Sequence, residues 1–491
     1  MPSHSPHSFD TRAFIFSLKC LCGIVILFSA VRYGTALASD VLVPDDSEDL
    51  ITTEIKIEEV KAKRKMRSQG SQEVLTKLQE YENTLATRTI GTASVETLSA
   101  AHERLIAADL SAMKLYLFEN GVASTTFDIL SKGKRGSRWE TPTGLYKIET
   151  KEEDHFSSIG EVHMPYSMQF FGNFFIHGWP FYPSGGLVAE GYSGGCIRLS
   201  TNDAERVYEF ASQGTPIFVW EGEMASSTSF TVEQKPLPKI SAKVFLVADI
   251  KNGTVFAERS PDEVFPIASL SKLLTALVAN ETIHFDRTLV VTRDDRKQTD
   301  GTPGSILPDD VISVGNMLYP LLMESNNSIA YTLARFHGTS NFMQWVNDKA
   351  KAIGMEHTSL EDPSGLSEHN VSTANDLFKL ARYIHDSQSY ILNISRETEK
   401  KITSETGRTY AVGNFNHFAG TPGFLGGKTG YTDAARETMV TIFEVPIENE
   451  RATIAIIILG SADRKTDVEN LLAWFKNAAT AAVATPPVPA E

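Results

Sequence analysis

The chain has 491 residues with 46 Lys+Arg against 61 Asp+Glu, a formal net charge of −15 and 42% hydrophobic residues. That length is too great for one ordinary core and points to two or three domains. The acidic balance excludes nucleic acid as a partner, because a phosphate backbone demands a basic surface.

The N-terminus carries Arg12 and Lys19, an apolar run from Cys20 to Val31, and then Ala36-Leu37-Ala38, which has the small-x-small form of a signal-peptidase site. Residues 1–38 therefore read as a cleaved signal peptide or an uncleaved membrane anchor. Basic residues before the run and acidic ones after it place the bulk of the chain outside the cytoplasm, in the periplasm or cell envelope. Residues 39–104 are charge-dense and poor in aromatics, as in a solvated stalk or loose helix.

From 105 to 220, short β-type runs alternate with Gly/Pro punctuation. Lys114 to Phe118 runs into an Asn120-Gly121 turn; further strands are expected at Gly144–Ile148, Tyr166–Phe171, Phe174–Ile176 and Pro216–Trp220. One helix, Asp203 to Ala211, has Ser200 or Thr201 as its cap. Residues 221–238, rich in Ser and Thr and ending Lys235-Pro236-Leu237-Pro238, read as a linker. Residues 239–477 begin and end with strands and place helices between them, including one after Ser269, and 478–491 read as a disordered tail. The expected architecture is multidomain, mostly β followed by α/β (α+β).

Cys196 is the only cysteine outside the leader. A lone thiol in an exported chain has no disulfide partner, so chemistry is the stronger reason for its presence than packing as a small apolar residue. It sits in Ser193-Gly194-Gly195-Cys196-Ile197-Arg198, downstream of His177-Gly178, which supplies a nucleophile, a base and glycines that let backbone N–H groups approach an oxyanion. With Thr141-Pro142-Thr143-Gly144, Met164-Pro165-Tyr166-Ser167-Met168 and Gly214-Thr215-Pro216, the span from about Asp109 to Trp220 resembles the catalytic domain of the L,D-transpeptidases (YkuD-type). The resemblance implies Cys196 as nucleophile, His177 as base oriented by a carbonyl near Gly178, the N–H groups of Gly195 and Cys196 as oxyanion donors, and Arg198 as a substrate-orienting cation. Gly194 departs from the family, which often has His there.

A second signature follows. Ser269 and Lys272 are three apart and share a helix face. Ser325 and Asn327 flank Asn326, and Lys428-Thr429-Gly430 offers a cation and a hydroxyl to a carboxylate. A core helix with polar edges would explain the first pair alone, and Leu270, Leu273, Leu274 and Leu277 do form an apolar stripe; all three elements in this order are far more specific. With Asp362-Pro363-Ser364-Gly365-Leu366 and Gly426-Gly427-Lys428-Thr429-Gly430-Tyr431-Thr432, the span from about Lys239 to Asn477 is similar to the serine D-alanyl-D-alanine carboxypeptidases of the penicillin-binding class.

That similarity implies that Ser269 is acylated, Lys272 is its base, and Ser325 relays a proton to the leaving amine. Asn327, Lys428, Thr429 and Gly430 would hold the substrate, and the N–H groups of Ser269 and Tyr431 would receive the oxyanion. A β-lactamase is the competing enzymatic reading, but no glutamate stands in a convincing place to activate a deacylating water. The implied partners are peptidoglycan stem peptides, with β-lactams as covalent inhibitors, and neither constellation calls for a metal or cofactor. A fusion of two peptidoglycan-modifying enzymes is expected, with a catalytically silent wall-binding first domain as the alternative.

Overall fold

The computed structural model describes residues 92–222, 230–233, 235–299, 304–448 and 450–481. The leader, residues 39–91 of the stalk and most of the tail lie outside them. Among the described residues no helix is long and apolar enough to cross a membrane.

The β-rich part opens with helix α1 (Thr92–Ala101) and strands β1 (Arg104–Asp109), β2 (Lys114–Glu119), β3 (Val122–Asp128) and β4 (Gly144–Lys147). There follow β5 (Thr150–Ser157), β6 (Val162–Phe171), β7 (Phe174–His177), β8 (Ile197–Arg198), helix α2 (Thr201–Phe210) and β9 (Pro216–Trp220). They make one five-stranded sheet, β3-β2-β1-β9-β4, and one four-stranded sheet, β5-β6-β7-β8. The turn between β2 and β3 places Asn120 and Gly121 at φ 50 and 84, the left-handed conformation that an Asn-Gly pair adopts cheaply. Ser200 caps α2, its side chain accepting from Asp203 N–H.

Helix α1 corrects one expectation. Thr92–Ala101 belongs to the segment read as a solvated stalk or loose helix, and it is a helix, yet a docked one: Val95 and Leu98 are buried against Leu105, Phe218 and Trp220. The charge density ends before this turn of chain, and two apolar residues three apart suffice to dock it.

The second part is built on a five-stranded antiparallel sheet in the order β12-β11-β15-β14-β13, where β11 is Val244–Asp249, β12 Val255–Arg259, β13 Phe424–Thr432, β14 Arg436–Ile447 and β15 Glu450–Ser461. Two short strands flank them in sequence, β10 (Phe230–Val232) and β16 (Ala479–Ala481), and these pair with each other. The stretch read as a linker thus contains a strand, and the stretch read as a tail begins with its partner. Phe230 is the reason: it is buried beside Phe256 and Phe475, and that apolar contact outweighs the Ser/Thr-rich flank.

Helices α3 (Lys272–Thr282), α4 (Val314–Leu322), α5 (Asn327–Phe336), α6 (Thr339–Ala352) and α7 (Ala374–Ser387) lie between β12 and β13, and α8 (Arg464–Ala478) follows β15. A single apolar cluster runs through both parts, from Ile106 and Phe170 to Leu277 and Phe342. At the seam Lys349 is fully buried, its Nζ donating to Glu281 Oε1 (2.8 Å), Tyr383 Oη (2.7 Å) and, across from the β-rich part, Tyr146 Oη (2.8 Å). The described residues of both parts belong to one compact unit.

Candidate active sites

Ser269 lies in a single 3₁₀ turn, Ala268–Ser271, that feeds directly into α3. Lys272 Nζ is 2.9 Å from Ser269 Oγ and 2.7 Å from Asn327 Oδ1, and it also donates to the carbonyl of Ser364. Lys272 is completely buried, so its ammonium replaces water with this set of oxygens. Asn327 opens α5, which Asn326 caps by accepting from Ile329 N–H at 3.2 Å. Ser325, just before the cap, is held at φ 60, and its buried Oγ has no hydrogen-bond partner among the described residues. A non-glycine residue in that conformation costs on the order of 1–3 kcal/mol and persists where the surroundings enforce it.

The edge strand β13 closes the site. Lys428 is buried, and its Nζ donates to Thr429 O at 2.8 Å. Burial, with the charges of Lys272 and Arg464 added, pulls its pKa well below that of an ordinary lysine. Gly430 is required by proximity, since a Cβ there would stand 3.0 Å from Ser269 N and 2.5 Å from Thr438 Oγ1. Tyr431 turns its side chain to solvent, 60% exposed.

Three contributors were given no role from the sequence. Ser364 supplies the carbonyl that accepts from both Lys272 and, at 3.4 Å, Ser269 Oγ. Asp362 shapes that loop by accepting from the N–H groups of Ser364, Gly365 and Ser367. Arg464 donates to Gly430 O at 2.8 Å and adds a second cation beside Lys428. The Asp362-Pro363-Ser364-Gly365 run entered the sequence reading only as part of the resemblance, without a role; Arg464 carried no signal.

In the β-rich part, β7 and β8 are parallel, with Ile176 opposite Ile197 and His177 opposite Arg198. Strand alternation therefore puts His177, Cys196 and Arg198 on one face, with Ile176 and Ile197 in the core on the other. His177 Nδ1 donates to Gly178 O at 2.6 Å, the orientation expected, and this leaves Nε2 as the basic nitrogen. Burial draws the imidazole down to about 4 against that bond. Burial likewise pushes the Cys196 thiol up to about 11, with Phe175 N–H and the Arg198 cation pulling it back. The resting pair is thus a neutral imidazole and a thiol, whose S–H points to Asn173 O at 3.7 Å.

Gly195 behaves differently from expectation. Its N–H, assigned to an oxyanion, donates to Ser193 Oγ at 3.0 Å, because the Ser193–Cys196 turn closes on itself. Its φ of 102 and the 2.2 Å that would separate a Cβ from Phe174 Cε1 still demand glycine. At Gly194 a Cβ would meet nothing within 4 Å, so the family's frequent histidine has open space here. Arg198 stacks over Trp179 at 5.8 Å, beside a cleft of about 1020 Å³ lined by Leu130, Trp179, Leu187 and Tyr192 among others.

A serine hydrogen-bonded to a buried lysine, with an asparagine on the same ammonium and a cationic edge strand alongside, defines the acyl-enzyme class of serine peptidases. Comparison with known proteins agrees. The D-alanyl-D-alanine carboxypeptidase family model (Peptidase_S11) matches residues 229–461, and the L,D-transpeptidase catalytic domain model (YkuD) matches residues 103–219. A D-alanyl-D-alanine endopeptidase of Escherichia coli is 31% identical over 249 residues, covering 49% of this chain and 78% of that protein. A D-alanyl-D-alanine carboxypeptidase of Mycobacterium tuberculosis is 32% identical over 209 residues, covering 42% of this chain and 71% of its own length. A crystal structure of a D-alanyl-D-alanine carboxypeptidase from the same organism is 28% identical, covers 50% of this chain and 95% of that one, and has a TM-score of 0.45. The chain belongs to the D-alanyl-D-alanine carboxypeptidase family and carries an L,D-transpeptidase catalytic domain ahead of the peptidase.

Proposed function

We propose that the protein is a bifunctional peptidoglycan-modifying enzyme, exported to the cell envelope, whose serine site trims stem peptides and whose cysteine site joins them. The observation that carries the serine half is Lys272 Nζ held at once on Ser269 Oγ and Asn327 Oδ1. In its neutral form Lys272 takes the Ser269 proton as Oγ attacks the penultimate D-Ala carbonyl; Asn327 holds the substrate amide, and Lys428, Thr429 and Gly430 receive the terminal carboxylate. The oxyanion lies between the N–H groups of Ser269 and Tyr431. Ser325 passes a proton to the departing amine, free D-Ala leaves, and water hydrolyses the ester to a tetrapeptide.

The cysteine half follows the same logic. His177 Nε2 takes the Cys196 proton, the thiolate attacks a tetrapeptide donor at its third residue, and D-Ala leaves. An amine of a second stem then displaces the sulfur, which forms a 3-3 crosslink and restores the thiol. Cys196 N–H stabilises the oxyanion, and Arg198 orients the donor. The product of Ser269 is the donor for Cys196.

Ser269→Ala should abolish crosslinking from pentapeptide stems while leaving crosslinking from tetrapeptides intact. Equal crosslinking of both by that variant would end the relay reading. Intact-protein mass spectrometry after a penicillin and a carbapenem gives the second test. Adducts at both Ser269 and Cys196 are expected, and an adduct at Ser269 alone would favour a silent, wall-binding first domain.

A further inference from the structure

Both walls of the cysteine site rest on the peptidase domain, and on one small part of it. The first wall is the Gly172-Asn173 turn between β6 and β7, whose Asn173 carbonyl accepts the Cys196 S–H. Asn173 N–H donates to Glu281 O at 3.2 Å, one of the carbonyls that the C-terminal end of α3 leaves without an intrahelical partner. Gly172 is in the left-handed region, and a Cβ on it would stand 2.7 Å from the same Glu281 O. The contact tolerates no side chain.

The second wall is Arg138-Trp139. A Cβ on Gly195 would stand 3.2 Å from Trp139 O, so this carbonyl borders the glycine that shapes the cysteine turn. Asn280 Nδ2 donates to Arg138 O at 3.0 Å, the Arg138 guanidinium lies 3.5 Å from the centroid of Phe285, and Trp139 packs on His284 with ring centroids 5.5 Å apart. Asn280 and Glu281 lie in the last turn of α3, which ends at Thr282, and His284 and Phe285 come just after its cap. At the other end of α3 stands Lys272, about 15 Å away at 1.5 Å per residue.

We propose that the C-terminal end of α3 is a working part of the cysteine site, with Asn280 and the Glu281 carbonyl as positioning groups that fix the two walls around Cys196, so that one helix carries the serine site at its start and braces the cysteine site at its finish. The cysteine domain is complete only when docked. This rests on Cys196 being a live nucleophile, as proposed above, but the test separates the two.

The perturbations are Asn280→Ala, which removes one hydrogen bond, and Gly172→Ala, which pushes the turn off Glu281, each in the full chain. Carbapenem acylation of Cys196 is expected to slow roughly 10-fold or more in each, while penicillin acylation of Ser269 stays within about twofold of the parent, since displacements near 1 Å cost rate only where geometry is used. The pH profile of Cys196 alkylation by iodoacetamide should shift to lower pH, as a loosened wall admits water to the thiol, read at a temperature where circular dichroism shows each variant still folded. Parent-like acylation and an unchanged alkylation midpoint in both variants would overturn the proposal. A parent enzyme that takes no carbapenem would refute the transpeptidase reading instead, and the alkylation profile would still decide this one.

Discussion

Replacing Lys349 by Met tests whether the seam holds the two domains as one folding unit. The Lys349 ammonium has three acceptors for its three protons, and both it and Glu281 are at 0% side-chain exposure. Burial opposes charge on both partners, raising the Glu281 carboxyl and lowering the Lys349 amine, and only their mutual attraction offsets it. Met fills a similar volume but leaves Glu281 with a single tyrosine donor, since its Oε2 already lacks a partner. Removing one member of a buried pair costs about 3–5 kcal/mol, and Tyr146 also loses the cation that joins it to the peptidase domain. The double variant Lys349→Met/Glu281→Leu should recover most of that loss, because it leaves no orphaned charge. Guanidinium unfolding of the full chain, followed by near-UV circular dichroism, measures both. A loss below about 1 kcal/mol for the single variant, or separate transitions for the two domains in the parent, would refute the reasoning.

Gly195→Ala should eliminate Cys196 acylation while sparing Ser269, because a Cβ at φ 102 meets Phe174 at 2.2 Å; mass spectrometry with two lactams reads both sites at once. Asn326→Ala removes the cap of α5 beside Ser325 and Asn327 and should cost about 1 kcal/mol, together with a slower Ser269 acylation measured by stopped-flow with a fluorescent penicillin. Glu140 is 1% exposed, and burial raises its carboxyl to about 8. Its raised folded-state pKa means that stability present below pH 4.5 is lost as pH climbs through 8, by up to about 5 kcal/mol at 1.36 kcal/mol per unit. Glu140→Gln, which keeps the neutral shape, should therefore match the parent at pH 5 and exceed it in Tm at pH 8.5.

The chemistry-bearing residues were legible because their spacing is local. Ser269 and Lys272 are one helical turn apart, Ser325 and Asn327 flank a cap, and His177 ends a strand that the apolar run Phe174-Phe175-Ile176 suggests. Val244–Asp249 was legible as an apolar run ahead of an Asn-Gly turn, and Thr201–Phe210 from its serine cap and amphipathic spacing. The seam was not. Lys349 and Glu281 sit on helices where charge ordinarily means a solvated face, and their tie to Tyr146 spans 203 positions of chain. The segment between the domains misled by composition: Ser and Thr dominate it, whereas three residues around Phe230 decide its structure. Gly195 shows a further limit, since its neighbours suggest a backbone donor turned to substrate, and only the folded turn reveals Ser193 Oγ accepting that hydrogen bond.

The pairing of Phe230–Val232 with Ala479–Ala481 has a mechanical consequence. The peptidase fold begins and finishes in one ribbon, three residue pairs long and antiparallel. Tension applied between those two ends would open the ribbon like a zipper, bond by bond, before it reached the five-stranded sheet.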